Sequence, residues 1–144
     1  MRFMLQVRAD KDTEAGVMPS RELVTAMGKF NETMIKSGVM LAGEGLHPSS
    51  NGARVSFALG RPKLIEPPFA APNELIAGFW IIDVKSKDEA IEWAMRAPFE
   101  DGVIEIRQVF EASDFPADIL PPEEAAREES WRKEQQRNTA PRSR

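Results

Sequence analysis

The sequence contains no cysteine and a single histidine, His47. Without cysteine, the chain cannot form a disulfide, use a thiolate nucleophile or build a cysteine-based zinc or iron–sulfur site. A single histidine also excludes a metal site that takes several histidines from one chain. We therefore predict neither a metal site nor a cofactor.

Long apolar runs and excess positive charge are missing as well. No stretch approaches the ~20 residues that span a bilayer, and Gln6 and Arg8 interrupt the apolar positions at the start, unlike a signal peptide. The net charge of −4 offers little attraction to nucleic acid. The 42% hydrophobic and 29% charged fractions are typical of a globular domain. We predict a soluble, cytoplasmic protein whose partners are neither nucleic acid nor membrane.

Hydrophobic periodicity predicts strands and helices in an order typical of one α+β fold. Ser20 and Ser86 are typical N-cap residues, and Glu89 completes a capping box with Ser86. Apart from one extra hairpin strand, the order is βαββαβ, the ferredoxin-like arrangement of two helices on one face of an antiparallel sheet. The predicted strands are residues 2–8, 39–46, 53–59, 75–84 and 103–110, the predicted helices are residues 20–38 and 86–97, and residues 9–19 and 66–72 are predicted loops.

The strand at residues 75–84 is apolar on both faces. Trp80 and Ile82 lie on one side by alternation, and Phe79 and Ile81 lie on the other. Because two helices cover one face only, the second face would be an exposed apolar patch in a monomer. We therefore predict a homodimer, with C2 symmetry, that forms a dimeric α+β barrel. The alternative is that the C-terminal helix covers this face.

The C-terminal segment differs in composition from the rest of the chain. We predict a domain over residues 1–115, followed at residues 116–144 by a linker and a charged helix and tail. The helix is expected at residues 123–137 and a frayed basic end at residues 138–144. Trp131 is a single large apolar residue among charges, so this helix has little apolar area with which to cover a sheet.

Glu44 is the first candidate for acid/base chemistry. Strand alternation predicts that it lies on an apolar face, where a carboxylate removed from water can act as a general acid or base. The glycines on either side leave room for a ligand or a second backbone. The alternative is an ion pair with Arg54 or Arg107. Its predicted neighbours on that face are Met40, Ala42 and Leu46.

Two further residues complete the predicted catalytic set. His47, in the turn after the second strand, could carry a proton, and Glu66, on the proline-rich loop, could form a carboxylate pair with Glu44. A turn histidine and a loop carboxylate are, however, often simply exposed. The aromatic residues expected to line a ligand pocket or to pack in the core are Phe69, Phe79 and Trp80.

Four segments of the chain carry a resemblance, namely residues 42–49, 74–80, 88–93 and 104–107. In this order they resemble segments of the YCII-related, or DGPF, family. The resemblance covers roughly residues 1–115 and implies a ferredoxin-like fold in a dimeric α+β barrel. It implies little about function, because most members of the family have no assigned reaction. The family's naming motif, Asp-Gly-Pro-Phe-x-Glu-x-Lys-Glu, corresponds here to residues 66–74, where Pro68, Phe69 and Glu74 match. The YCII-branch histidine near the first helix, its suspected catalytic group, has no counterpart here.

Two functions follow as alternatives. The first is a small-molecule-binding dimer of YCII-related type with no assignable reaction. The second is a cofactor-independent enzyme that performs acid/base chemistry on a small organic molecule. A ligand in a deep pocket beside Glu44 would favour the enzyme, and a closed, filled core would favour the binding or regulatory dimer.

Overall fold

The structure is a computed structural model that describes residues 1–69 and 71–139. Short 3₁₀ turns connect some of the strands and helices. In chain order, these are β1 (Arg2–Arg8), α1 (Lys11–Glu14), α2 (Arg21–Lys36), β2 (Met40–Gly45), β3 (Arg54–Ala58), β4 (Arg61–Ile65), β5 (Ile76–Asp83), α3 (Lys87–Met95), β6 (Ile104–Gln108) and α4 (Pro122–Thr139).

Both predicted helix N-caps are confirmed. Ser20 Oγ accepts a hydrogen bond from the Leu23 amide at 3.1 Å, and Ser86 Oγ accepts one from the Glu89 amide at 3.1 Å. These bonds satisfy amides that have no partner inside the helix. Gly38 follows the end of α2 with φ 73°, a conformation that glycine adopts without steric cost.

Four strands form an antiparallel sheet in the order β2-β5-β1-β6. With α2 after β1 and α3 after β5, this order is the ferredoxin-like arrangement, and the predicted α+β fold is confirmed. The strand predicted to be apolar on both faces, β5, lies inside the sheet between β2 and β1. The interior position of β5 thus agrees with its apolar composition, because an interior strand has no exposed edge.

The core lies between one face of this sheet and the helices α2 and α3. The Phe30 ring of α2 meets the Trp80 ring edge-on, with centroids 5.5 Å apart, and lies 6.5 Å from the Trp93 ring of α3. Leu5 and Ile82 are fully buried in the same cluster. Burial of these large apolar side chains is the main source of stability.

The opposite face of the sheet is the one that α2 and α3 leave uncovered. In the register of β1 and β5, Met4 pairs with Ile81 and Gln6 pairs with Phe79. Phe79 and Ile81 are half-buried, whereas Trp80 and Ile82 are buried. The predicted division of β5 into two apolar faces is therefore confirmed. We call this second surface the open face.

Two predictions between these elements are wrong. The expected single extra strand is a hairpin, because β4 pairs with β3 in a sheet of its own. Leu59 and Gly60 both have positive φ, 51° and 76°, as a tight two-residue hairpin turn requires. Pro62 therefore lies in a strand, which is allowed because each strand of a two-stranded sheet has a free edge. The predicted loop at residues 9–19 contains the single helical turn α1.

The chain divides into two compact units, Met1–Gln108 and Val109–Arg144. In the second unit, the predicted C-terminal helix is confirmed as α4, and Arg132 of α4 pairs with Glu111 at 2.7 Å. Trp131 is exposed. Of the predicted frayed end, residues 140–144 lie outside the described residues.

A matched pair of methionines tests the described core. Met34 of α2 is 0% exposed and Met95 of α3 is 81% exposed. Because both changes have the same helix propensity, Met34→Ala should lower the free energy of unfolding by ~2–5 kcal/mol, and Met95→Ala should change it by less than ~0.5 kcal/mol. Urea denaturation at a fixed protein concentration measures both. Equal losses for the two variants would contradict the packing of α2 against the sheet.

Candidate functional site

A groove of about 1030 Å³ lies on the helix side of the sheet. One wall is α2, the opposite wall is the segment at residues 10–19, and the floor is formed by β2 and β5. The α2 wall presents apolar and small residues together with one amide. They are Leu23, Val24, Met27, Gly28 and Asn31.

Glycines in the floor leave this space open. Gly43 pairs with Trp80 and Gly45 pairs with Gly78, so these residues share the face of the sheet toward α2. A Cβ at Gly45 would meet no atom within 4 Å. The space at Gly45 is therefore unfilled, whereas a Cβ at Gly43 would lie 2.7 Å from Trp80 Cδ1 and a Cβ at Gly78 would lie 2.9 Å from the Glu44 carbonyl oxygen.

Trp80 belongs to both the core and the groove. Its indole Nε1 donates a hydrogen bond to Asn31 Oδ1 at 2.9 Å, which joins the floor to the α2 wall. The Phe99 ring lies 6.4 Å from the indole ring. Trp80 is buried and also lines the groove, so the two roles predicted for it as alternatives occur together.

A β-bulge changes the predicted orientation of Glu44. Met40 pairs with Ile82, but Ala42 pairs with Ile81. From the first pair to the second, β2 moves on by two residues and β5 by one, so β2 contains one extra residue. Such a bulge reverses the alternation of the side chains that follow it. Met40 therefore lies on the helix side with Ile82, and Glu44 lies on the open face. The prediction that Met40 and Glu44 share a face is wrong, whereas Ala42 does share a face with Glu44.

Glu44 nevertheless lines the rim of the groove and is exposed. The ion pairs considered as its alternative do not form. Arg107 pairs with Glu105 at 3.5 Å, and the Arg54 guanidinium lies 4.1 Å from the centroid of the Phe69 ring. The Glu44 carboxylate is therefore free to meet a ligand or a partner. In a single chain, however, it is not removed from water.

His47 also lines the groove and is exposed. Its Nδ1 lies 3.1 Å from the amide nitrogen of Asn51. Because an amide NH₂ group can only donate, this contact is a hydrogen bond in the tautomer that accepts at Nδ1 and carries its proton on Nε2. The ring is thus oriented by Asn51 and retains one nitrogen that can donate to another group.

The segment at residues 10–19 is a groove wall that the sequence reasoning missed. Glu14 Oε2 accepts hydrogen bonds from the backbone amide and the hydroxyl of Ser49, at 2.9 and 2.8 Å. These bonds attach the end of α1 to the turn after β2. Asp10 caps α1, and the bond that it accepts from the Thr13 backbone amide lowers the pKa of the Asp10 carboxyl. The Asp10–Thr13 capping pair could have revealed this helical turn in the sequence.

The remaining candidates lie elsewhere. Phe69 lines a second cavity of about 380 Å³, together with Glu14 and Ser49. Glu66 lines neither this cavity nor the groove. The structure thus brings Glu44, His47, Phe79 and Trp80 to one groove, and it separates Glu66 from them. The catalytic roles assigned to Glu44, His47 and Glu66 stay predictions.

The rim of the groove carries negative charge. Among the described residues that line it, Asp10, Asp12 and Glu44 are acidic, and none is lysine or arginine. Within residues 1–69 and 71–139, no three or more histidine or carboxylate side chains are placed to hold a metal ion. The same residues include no helix that is long and apolar enough to cross a membrane.

Two neighbouring glycines test the construction of the floor. A Cβ at Gly43 would lie 2.7 Å from Trp80 Cδ1, whereas a Cβ at Gly45 meets nothing within 4 Å. Because the rigid indole must shift, Gly43→Ala should cost ~1–3 kcal/mol of unfolding free energy, and Gly45→Ala should be close to neutral. Urea denaturation compares the two variants. A neutral Gly43→Ala would mean that Trp80 does not pack against β2 as described.

Comparison with known proteins identifies the family. No curated protein matches the chain. The family model of the YCII-related domain matches residues 1–113, which include the six strands and the groove-lining residues of the described part of the chain. Because this match covers more than half of the chain, the protein belongs to the YCII-related family.

Proposed function

We propose that the protein is a homodimer that binds a small, largely apolar organic molecule in the groove between α2 and the floor of β2 and β5. The observation that carries this proposal is the glycine-lined floor around Trp80. The volume of the groove is about 1030 Å³. This is at the upper end of the range for small-molecule sites, which typically measure ~300–1,000 Å³. Gly45 leaves part of this floor unfilled, since a Cβ there would meet no atom within 4 Å.

The lining also indicates which molecules fit. Met27, Leu23 and Trp80 provide apolar contact, and His47 provides a polar group at the edge. Because the rim has carboxylates and no lysine or arginine among its described residues, anionic molecules are disfavoured. A neutral or cationic apolar molecule is therefore the expected ligand class.

Filling the groove from Gly45 tests this proposal. Gly45→Leu places a side chain in open space beneath α2, whereas Gly52→Leu makes the same change at an extended residue outside the groove. The probe is Nile red, a neutral apolar dye whose fluorescence rises in apolar surroundings. Gly45→Leu should weaken its binding about tenfold or more, equivalent to ~1.4 kcal/mol, and Gly52→Leu should bind as the parent does. Equal binding by both variants would exclude the groove as the site.

The homodimer is supported by the open face of the sheet. Met4, Phe79 and Ile81 form an apolar strip across β1 and β5 on that face. Pairing this strip with its copy removes it from water under C2 symmetry. The same contact would bring Glu44, on the same face, toward the partner.

A pair of isoleucines tests the dimer. Ile81 lies on the open face, and Ile35 lies on the exposed side of α2. Light scattering after size exclusion should give about twice the 16.1 kDa chain mass for the parent and for Ile35→Glu. Ile81→Glu should give the monomer mass, because it places a charge in the apolar contact. A parent that is monomeric at micromolar concentration would contradict the proposal.

A further inference from the structure

The hairpin of β3 and β4, residues 54–65, has two faces of different chemistry; we call it the arm. In its register, Val55 pairs with Leu64 and Phe57 pairs with Pro62, so these four residues share one face. The other face carries Arg54, Ser56, Lys63 and Arg61, together with Ile65 and Ala58. The arm is therefore apolar on one face and mainly polar and basic on the other.

The apolar face is exposed in the single chain. Val55 is 56% exposed, Phe57 72% and Leu64 59%, and Leu59 at the tip is 102% exposed. A two-stranded hairpin is at best marginally stable alone in water, and it needs its apolar face covered. A contiguous patch of this kind in a soluble protein is typical of an interaction surface.

The charge of the arm identifies what covers it. Residues 54–65 contain Arg54, Arg61 and Lys63 and no acidic residue. The described residues of the groove lining contain Asp10, Asp12 and Glu44 and no lysine or arginine. The arm is thus positive and the groove rim negative, so the two attract each other. With the apolar face over the groove, Arg61 and Lys63 on the opposite face would reach the rim around the edges of the hairpin through their long side chains.

We propose that the arm of one protomer lies across the groove of its partner, with Phe57 and Leu59 over the opening, so that each binding site contains residues from both chains. This rests on the proposed homodimer and its groove. The arm does not cover its own groove, since none of its residues lines that groove and every one is exposed. Its five-residue strands extend ~17 Å.

The arm accounts for the openness of the groove. Small-molecule sites usually bury most of the ligand surface, whereas Val17, Met18 and His47, which line this groove, are exposed in the single chain. An apolar side chain such as Phe57 from the partner would supply the missing wall. Ligand binding should then raise the affinity of the groove for the arm, and a docked arm should raise its affinity for the ligand, because the ligand and the arm bury apolar surface against each other.

Cross-linking tests the arm directly, because the parent chain has no cysteine. One chain carries Phe57→Cys and the other, differently tagged, carries Val24→Cys on the α2 wall of the groove, where Val24 is exposed. After subunit mixing, a mixed disulfide should form about a hundredfold faster than between Phe57→Cys and Met95→Cys, since residues in contact react at a far higher effective concentration. Met95 is exposed on α3, outside the groove.

Charge reversal supplies a second measurement. Arg61→Glu with Lys63→Glu on the Phe57→Cys chain should lower the mixed-disulfide rate by about tenfold, as loss of two favourable charge pairs predicts. Asp12→Lys with Glu44→Lys on the Val24→Cys chain should restore it. A mixed-disulfide rate equal to that of the Met95→Cys pair would overturn the proposal. So would an intramolecular disulfide in a monomer that carries both Phe57→Cys and Val24→Cys.

The outcomes separate this inference from the proposed function. If Gly45→Leu weakens Nile red binding but Phe57→Cys does not react with Val24→Cys, the groove is a site and the arm is not its cover. If Gly45→Leu has no effect on Nile red, the binding function fails whatever the arm does. A dimer whose Phe57→Cys residues link only to each other places the arms against one another, and this too overturns the proposal.

Discussion

The position of Trp80 depends on the absence of a side chain at residue 43. The two residues are paired across β2 and β5, and the indole occupies the place that a Cβ would take. From there, the ring packs edge-on against Phe30 in the core and donates to Asn31 on α2. The Trp80 side chain thus sets the distance between α2 and the sheet. It does so next to Gly43, where the sheet has no side chain of its own. Trp80 therefore packs in the core and lines the groove at the same time.

The elements that could be predicted from the sequence are those with a strong local signal. The apolar sequence of residues 75–84 predicted β5, and side-chain alternation along a strand predicted its two apolar faces. The serine N-caps predicted where α2 and α3 begin. These features depend on residues within one or two turns of each other. The groove could be predicted in part, because Glu44, His47 and Trp80 follow from strand and turn positions along β2 and β5.

What could not be predicted depends on pairing between distant segments. The bulge in β2 is a mismatch with β5, and the local sequence Met40-Leu41-Ala42 carries no sign of it. The hydrogen bond from Trp80 to Asn31 joins residues 49 positions apart in the chain. It forms because α2 places Asn31 beside the indole, which the local sequence does not indicate. Pro62 lies in β4 because a two-stranded hairpin leaves free edges that tolerate a proline. The placement of Glu66 outside the groove likewise depends on the path of the loop that follows the hairpin.

The glycines of the groove also affect how such a protein can change over evolutionary time. At Gly28 and Gly45, an added methyl group would touch nothing within 4 Å, and neither residue has a backbone conformation that disfavours other amino acids. Both positions border the groove rather than the buried cluster of Phe30, Trp93 and Ile82. Substitutions there can therefore alter the shape of the groove in small steps while folding stability stays nearly constant. The scaffold thus separates the residues that maintain the fold from those that shape the groove, so the shape of the groove can drift among descendants of one ancestral chain.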